Sequence, residues 1–264
     1  MGSISAVSFV CNEEHCIEAS LQTLKPHVDE IVIVDLESTD RTVEIAARYT
    51  DKIFIKPYVI CGDQYKMFLR ENTKCDWLLW FYPDEIFPEK TAEALKTVID
   101  TEQFTAFSFM RQEYMDGVQL CERPGVPHGT IGSPNYQNRL HKKCDEIFYT
   151  ELVHAELHGK FHACPMPPEL FIEHRKTSKA QELSNVRLYV WYKYLIWLYG
   201  DTNVEPYKEY IASYRKIVRD SEAKNDSGDR RIHPGEEEWW HWRDFPLVPD
   251  KDIVDRAITE AENV

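Results

Sequence analysis

The stretch DEIVIVDLESTDRTVEIAARYTDKIF, residues 29–54, decides the fold. Glu30 to Val34 is a continuous apolar run, as expected of a strand buried on both faces. Asp35 sits on its lip. Ser38 and Asp40 are residue types that cap helices, and either can start a helix that runs through Arg48 and buries Val43, Ile45 and Ala46. Lys52 to Ile55 is the next strand. Strand, helix and strand in this order imply a parallel pair joined by a right-handed crossover.

The same pattern extends in both directions. Upstream, Ile4 to Val10 (ISAVSFV) is another continuous apolar run. Asn12 to Lys25 reads as a helix capped by Asn12, with Ile17, Leu21 and Leu24 at helical spacing and Pro26 after its stop. Downstream, 58–75 reads as a loop followed by a helix. Trp77 to Phe81 (WLLWF) is a further buried strand, and Glu89 to Ile99 a helix. The expected class is therefore α/β, with a mostly parallel Rossmann-like sheet flanked by helices. Ligands of such sheets lie beyond the carboxyl ends of the strands. Three acidic clusters fall there: Asn12-Glu13-Glu14, Asp35 to Asp40, and Asp84-Glu85.

Further on, Phe104 to Arg111 is a strand, and 116–138 is a glycine- and proline-rich loop of a length that often carries function. Arg139 to Lys142, Phe148 to Leu157 and Leu170 to His174 form a second strand group. From Ser178 the texture becomes helical and aromatic, with helices expected at 179–199, 205–223 and 249–262 and a polar loop at 224–238. The expected division is a catalytic domain at 1–177, split into halves at 1–100 and 101–177, and a helical extension at 178–264. The aromatics of 179–199 (Tyr189, Trp191, Tyr192, Tyr194, Trp197, Tyr199) surround the helix, which favours burial over a binding face. Trp239, Trp240 and Trp242, beside His241 and Arg243, can cover a cleft or dock the tail.

Composition narrows the function classes. The 264 residues hold 31 Lys and Arg against 45 Asp and Glu, a net charge of −14. Such a chain repels phosphate backbones and anionic lipid at long range, so non-specific nucleic-acid binding is not expected. The seven cysteines, at 11, 16, 61, 75, 121, 144 and 164, form no CxxC pair, which argues against a structural zinc knot and for free thiols in a reducing compartment. The sequence shows neither a secretory leader nor an apolar run of membrane-spanning length, and after Met1-Gly2 the myristoylation position is Ala6. A cytoplasmic location is the expectation, and the sequence specifies no oligomeric state.

Two stretches carry candidate chemistry. Asp35 can accept hydrogen bonds from a base N–H or ribose hydroxyls, or stand exposed beside a capped helix. In CDWLLWFYPDE, residues 75–85, a buried strand delivers Asp84 and Glu85 to its carboxyl edge. They are hard oxygen ligands for Mg2+ or Mn2+ bridging a diphosphate, or else a solvated turn.

The order FVCNEE (9–14), DEIVIVDLESTDRTVEIAARYTDKIF, CDWLLWFYPDE resembles family 2 glycosyltransferases of the glycosyltransferase A fold, and within them the lipopolysaccharide-core β-glucosyltransferase-like branch. NYQNRLHKK (135–143), YTELVHAEL (149–157) and LFIEHRKTSKAQELSNVRLY (170–189) resemble later elements of that branch, so the likeness spans about residues 3–195. The resemblance implies a nucleotide-diphosphate sugar donor, a UDP-sugar in the first instance, and a divalent metal. It implies that Phe9 and Cys11 contact the base or ribose, that Asn12 and Glu13 shape that pocket, that Asp35 binds uracil or ribose, and that Lys66 is a point charge near the diphosphate. Asp84 is the last acid of the family's D-x-D element.

The departures are specific. Tyr82 and Pro83 occupy the first two D-x-D positions, which removes one metal ligand and leaves His154 and His174 as candidate extra ligands. Ala155 stands where the branch has its acid. The inverting base is then sought among Glu151, Glu156 and Glu85; on a strand Glu151 shares the face of Ala155, and Glu156 points to the other. The leading expectation is an inverting glycosyltransferase acting on a hydroxyl of lipopolysaccharide core, another glycan, a protein or a modified DNA base, acidity weighing against the last. The alternative is a nucleotide- or sugar-binding relative that has lost catalysis. A dinucleotide enzyme is set aside because no GxGxxG follows the first strand.

Overall fold

ISAVSFV and EIVIVD form β1 (Ile4–Val10) and β2 (Glu30–Asp35), paired in parallel from Ser5↔Glu30 to Val10↔Asp35. Both strands are buried almost end to end, so neither alternates apolar and polar residues. The computed structural model describes residues 2–59, 62–100, 103–119, 136–149, 157–177, 191–193, 195–196, 200–201 and 207–226. Contacts divide the chain into two units. The first comprises Met1–Lys56, Tyr65–Thr150 and Glu156–Thr177, and the second Pro57–Gln64, Glu151–Ala155 and Ser178–Val264.

In the first unit the remaining elements follow in chain order. They are α1 (Ile17–Leu24), α2 (Thr42–Ala46), β3 (Ile53–Ile55), α3 (Lys66–Glu71), β4 (Trp77–Trp80), β5 (Glu85–Ile86), α4 (Glu89–Val98), β6 (Ala106–Met115), β7 (Val118–Gln119), β8 (Tyr136–Lys142), β9 (Ile147–Phe148), β10 (His158–Gly159), β11 (Ala163–Pro165) and β12 (Phe171–Lys176). The main sheet runs β3-β2-β1-β4-β8-β6-β12-β5. The four strands through β4 are parallel. Beyond them the sheet is mixed: β8 is antiparallel to β4 and β6, β12 is parallel to β6, and β5 is antiparallel to β12. The turn Asp116-Gly117 between β6 and β7 has φ +50 and +80 at its two residues, the conformation a two-residue hairpin needs and glycine adopts freely.

One helix start and one helix end differ from the sequence expectation. The first helix begins at Ile17 with Cys16 at its N-cap and no side-chain cap. Asn12 is committed elsewhere: it has φ +56, and its Oδ1 accepts the Thr39 N–H at 2.7 Å. Asp40, not Ser38, serves the first turn of α2, taking the Thr42 N–H at 2.9 Å. That helix ends at Ala46 rather than at Arg48, in turns that lead to β3.

The core lies between the sheet and α1 and α4, built on Ile4, Ile17, Leu21, Ile31, Ile33, Leu79, Phe81, Phe87, Leu95 and Phe107, all buried. Truncating Leu21 or Ile31 to alanine would cost about 2–5 kcal/mol through lost transfer energy and the cavity left behind. Cys11, Cys16, Cys75, Cys144 and Cys164 are free thiols.

In the second unit, α5 (Tyr207–Asp226) buries Ile211, Tyr214 and Val218 along one stripe and continues past the expected end at 223. Tyr214 stacks on Tyr192 at 4.6 Å, and Trp191 is buried beside it in sequence. Most of the expected loop at 116–138, Tyr189, Tyr194, Trp197, Tyr199, the segment Trp239 to Arg243 and the helix expected at 249–262 lie outside the described residues. Among the described residues no helix is long and apolar enough to cross a membrane.

Candidate functional site

The carboxyl ends of β1 and β2 are adjacent in register, so the loops that follow them meet. They are joined by reciprocal hydrogen bonds. The Asn12 N–H donates to Ser38 Oγ at 2.9 Å, the Glu13 N–H to Thr42 Oγ1 at 2.7 Å and the Glu14 N–H to Asp40 Oδ2 at 3.1 Å. In return the Thr39 N–H donates to Asn12 Oδ1 at 2.7 Å and the Arg41 N–H to Glu14 Oε2 at 3.0 Å. Asn12 and Glu13 thus help build a lip around Asp35.

Asp35 is 1% exposed. Its Oδ2 accepts the Ser38 N–H at 2.9 Å, whereas its Oδ1 is buried with no hydrogen-bond partner among the described residues. Buried carboxylate oxygens are seldom left unmet, and an exception at a sheet's ligand edge marks a place where a donor belongs.

A second cluster forms where β5 and β12 pair. Register places His174 opposite Glu85 on one side and Glu113 on the other, and the Arg175 N–H donates to the Asp84 carbonyl at 2.8 Å. The His174 ring lies between two carboxylates, with Nε2 3.1 Å from Asp84 Oδ2 and Nδ1 2.5 Å from Glu113 Oε2. Arg111 in turn holds Glu113 at 2.6 Å. Burial opposes the charge on His174, but hydrogen bonds to Asp84 and Glu113 more than offset it, and the pKa rises above 6.5. Burial likewise pushes the Asp84 and Glu113 carboxyls up, and His174 more than offsets it, so both lie below their ordinary values. An imidazole beside a carboxylate, with a second carboxylate on the imidazole's far nitrogen, is a donor set that fits a divalent cation. Asp84 and His174 can supply the ligands, with Glu113 orienting the ring.

The sequence placed Asp84 and His174 among the metal candidates, and the fold brings the two into contact. Their third companion, His154, and two base candidates, Glu151 and Glu156, lie outside the described residues. Glu85, the remaining base candidate, is fully buried in a two-pronged pair with Arg139 at 2.7 and 3.1 Å, and it also accepts the Tyr82 N–H at 3.2 Å. Its oxygens are committed inside the protein. Arg139 stacks over the Tyr82 ring at 4.9 Å, and Tyr82 meets half-buried Phe9 edge-on at 5.6 Å. At the first D-x-D position, then, an aromatic ring bridges Phe9 and Arg139.

Lys66, at the start of α3, is buried with its ammonium 5.5 Å from the ring centres of both Trp80 and Tyr149. The Trp80 N–H donates to the Tyr149 oxygen, Tyr149 donates to His141 Nε2, and His141 Nδ1–H donates to the Lys142 carbonyl. Cys11 is half-buried at the start of the loop after β1.

Sequence reasoning missed Glu113, Arg111 and Arg139. A signal existed for the first two: on β6 the face carrying Phe107 and Phe109 continues as Arg111 and Glu113, an apolar face turning charged at its far end. Arg139 lies inside NYQNRLHKK but had no assigned role.

The model of the family described as Glycosyl transferase family 2 matches residues 5–151. A Rickettsia bellii protein named an uncharacterized glycosyltransferase is 34% identical over 95 residues, covering 36% of this chain and 32% of that protein. A Rickettsia felis protein of the same name is 33% identical over 98 residues, covering 37% and 34%. The chain spans about a third of the length of the curated relatives it matches. Among solved structures, S. aureus TarS 1–349 aligns with a TM-score of 0.47 at 14% identity, covering 98% of this chain and 78% of that one. Glucosyl-3-phosphoglycerate synthase from Mycobacterium tuberculosis, solved with Mn2+ and UDP-glucose, aligns with a TM-score of 0.36 at 20% identity over 44% of each chain.

Proposed function

Because this chain belongs to glycosyl transferase family 2, we propose that it moves a sugar from a nucleotide-diphosphate sugar, a UDP-sugar, to a hydroxyl of a glycan or other acceptor, with inversion. The observation that carries this reading is the unmet Oδ1 of Asp35, buried at the end of β2. A buried acceptor without a donor costs about 1–3 kcal/mol or more. A uracil N–H or ribose hydroxyl would remove that cost. Phe9 and Cys11 would flank the nucleoside, and the lip built with Asn12 and Glu13 would hold Asp35 in place.

Asp84 and His174 would hold the divalent cation, Mn2+ or Mg2+, with Glu113 fixing the ring orientation. When bound, such a cation supplies positive charge that stabilises a departing diphosphate. Lys66 would add a second positive charge. In the transfer the acceptor oxygen bonds to the anomeric carbon, its proton passes to a carboxylate base, and the bond from that carbon to the phosphate oxygen breaks. The Glu85–Arg139 pair favours Glu151 or Glu156 as the base.

Calorimetry with UDP and Mn2+ tests the donor assignment. The wild type should bind, and Asp35→Ala should bind about 10- to 100-fold more weakly, the loss of a charge-assisted hydrogen bond. Equal affinity in the two would sink the reading.

One observation favours a second reading. Tyr82, at the first D-x-D position, packs between Phe9 and Arg139, and Ala155 replaces the branch's acid. A relative that binds donor without transferring it would have these features. Turnover that vanishes in Asp84→Ala defeats that reading; UDP binding with no transfer across a panel of metals and acceptors supports it.

A further inference from the structure

We propose that Glu13, His15 and Cys16 form a second cation site, separate from Asp84 and His174, for a thiophilic divalent ion of the Zn2+ class. One donor atom from each residue, a carboxylate oxygen, an imidazole nitrogen and a thiol sulfur, falls within 4.8 Å of the others. Sulfur, nitrogen and oxygen donors together are the set that zinc accepts, whereas Mg2+ and Mn2+ prefer oxygen. The two sites therefore select by donor chemistry, a thiol at one and carboxylate with imidazole at the other.

The loop is prepared for this geometry. The Cys16 thiol is directed at Glu13 Oε2, 3.3 Å away. The Cys16 and Ile17 N–H groups both donate to the Glu13 carbonyl, at 3.1 and 3.0 Å, which holds the backbone of 13–17 in a tight turn. The Glu13 N–H is fixed by Thr42 at 2.7 Å. Glu13 and Cys16 are thus held by the fold, while His15 is exposed and can swing. Ligand bonds of about 2.0–2.3 Å need the donors somewhat closer together than they stand, and rotation of His15 supplies that closure. Burial and then the adjacent Glu13 carboxylate push the Cys16 thiol up, so a cation that binds there displaces its proton. Three protein ligands leave the fourth tetrahedral position to water or an incoming group.

The cluster belongs to the loop joined to residues 38–42, so an ion bound there would tighten the lip around Asp35. A thiophilic cation would thereby act on the donor site without occupying it.

The test uses the full chain, with Cd2+ as a spectroscopic probe and Zn2+ measured by competition with a coloured chelator. The expected result is one tight equivalent, a cadmium–thiolate charge-transfer band in the ultraviolet, and loss of that band in Cys16→Ser with Zn2+ affinity down at least about tenfold. His15→Ala, at an exposed position, should weaken Zn2+ while leaving the unfolding midpoint of the metal-free protein unchanged. Asp84→Ala should keep both the band and the affinity, which separates this site from the proposed donor metal. The proposal is overturned if the wild type shows no band, if the band survives Cys16→Ser, if both loop variants bind Zn2+ like the wild type, or if Asp84→Ala abolishes binding.

Discussion

His141 on β8 and His174 on β12 belong to one sheet and are both buried, 1% and 6% exposed, yet they take opposite charge states. Burial drives the His141 pKa down to about 4; the Lys142 carbonyl resists, while Arg70 and Lys66 push further in the same direction. The ring stays neutral, donating from Nδ1 and accepting Tyr149 at Nε2. Burial also opposes charge on His174, but Asp84 and Glu113 prevail and the pKa rises. Burial sets the cost of a charge, and the partners decide whether it is taken on. The His141 pocket is neutral framework, supporting the aromatic rings that flank Lys66. The His174 pocket stabilises positive charge on the ring.

The contrast can be broken most severely at Asp84. Asp84→Ala should lower kcat/KM for sugar transfer by about 100- to 1,000-fold, the usual scale for removing charge stabilisation from a reacting centre. Unchanged turnover would end the assignment of that pocket to the donor diphosphate.

On the other side, His141 should dominate the acid limb of stability. Its folded pKa of about 4 lies below the unfolded value near 6.5, so between these values the unfolded chain binds a proton that the folded one refuses. The contribution is full above pH 6.5 and falls as pH drops toward 4, by about 3 kcal/mol. Denaturant unfolding across that range measures it, and His141→Gln should flatten the limb.

A milder change sharpens the His174 side. Glu113→Gln still accepts the Nδ1–H but loses the charge, so metal affinity should fall about tenfold while UDP binding without metal stays constant. Calorimetry separates the two, and equal losses in both would point to a general disturbance of the sheet.

The smallest effect is the mirror image of the His141 limb. In metal-free protein the raised His174 pKa contributes stability that is complete below pH 6.5 and is lost as pH rises through the folded value. His174→Gln should remove that alkaline limb and leave the His141 limb intact. A slope of the same sign at both histidines would refute the comparison.

The parallel half of the molecule was legible because each strand is an unbroken apolar run and each crossover lies within one short stretch of chain. Asp35 was legible for the same reason, as the first polar residue after a buried strand. The role of Asn12 was not: its side chain caps nothing local and instead accepts from Thr39. The mixed half was harder because its pairings join distant segments. His174 meets Glu113 and Asp84 only when β12 docks between β6 and β5. Glu85 read as a free acid at a strand end, and it is a buried partner because β8 brings Arg139 to it.

The sequence by itself determined the α/β order, the acids at the strand ends and the family, since apolar periodicity and local motifs are properties of neighbouring residues. Tertiary structure decided which acids are available and which are spent, which histidine is charged, and what the Tyr82 ring packs against. Those outcomes depend on burial and on partners brought together by sheet pairing, and neither is a property of any stretch of chain alone.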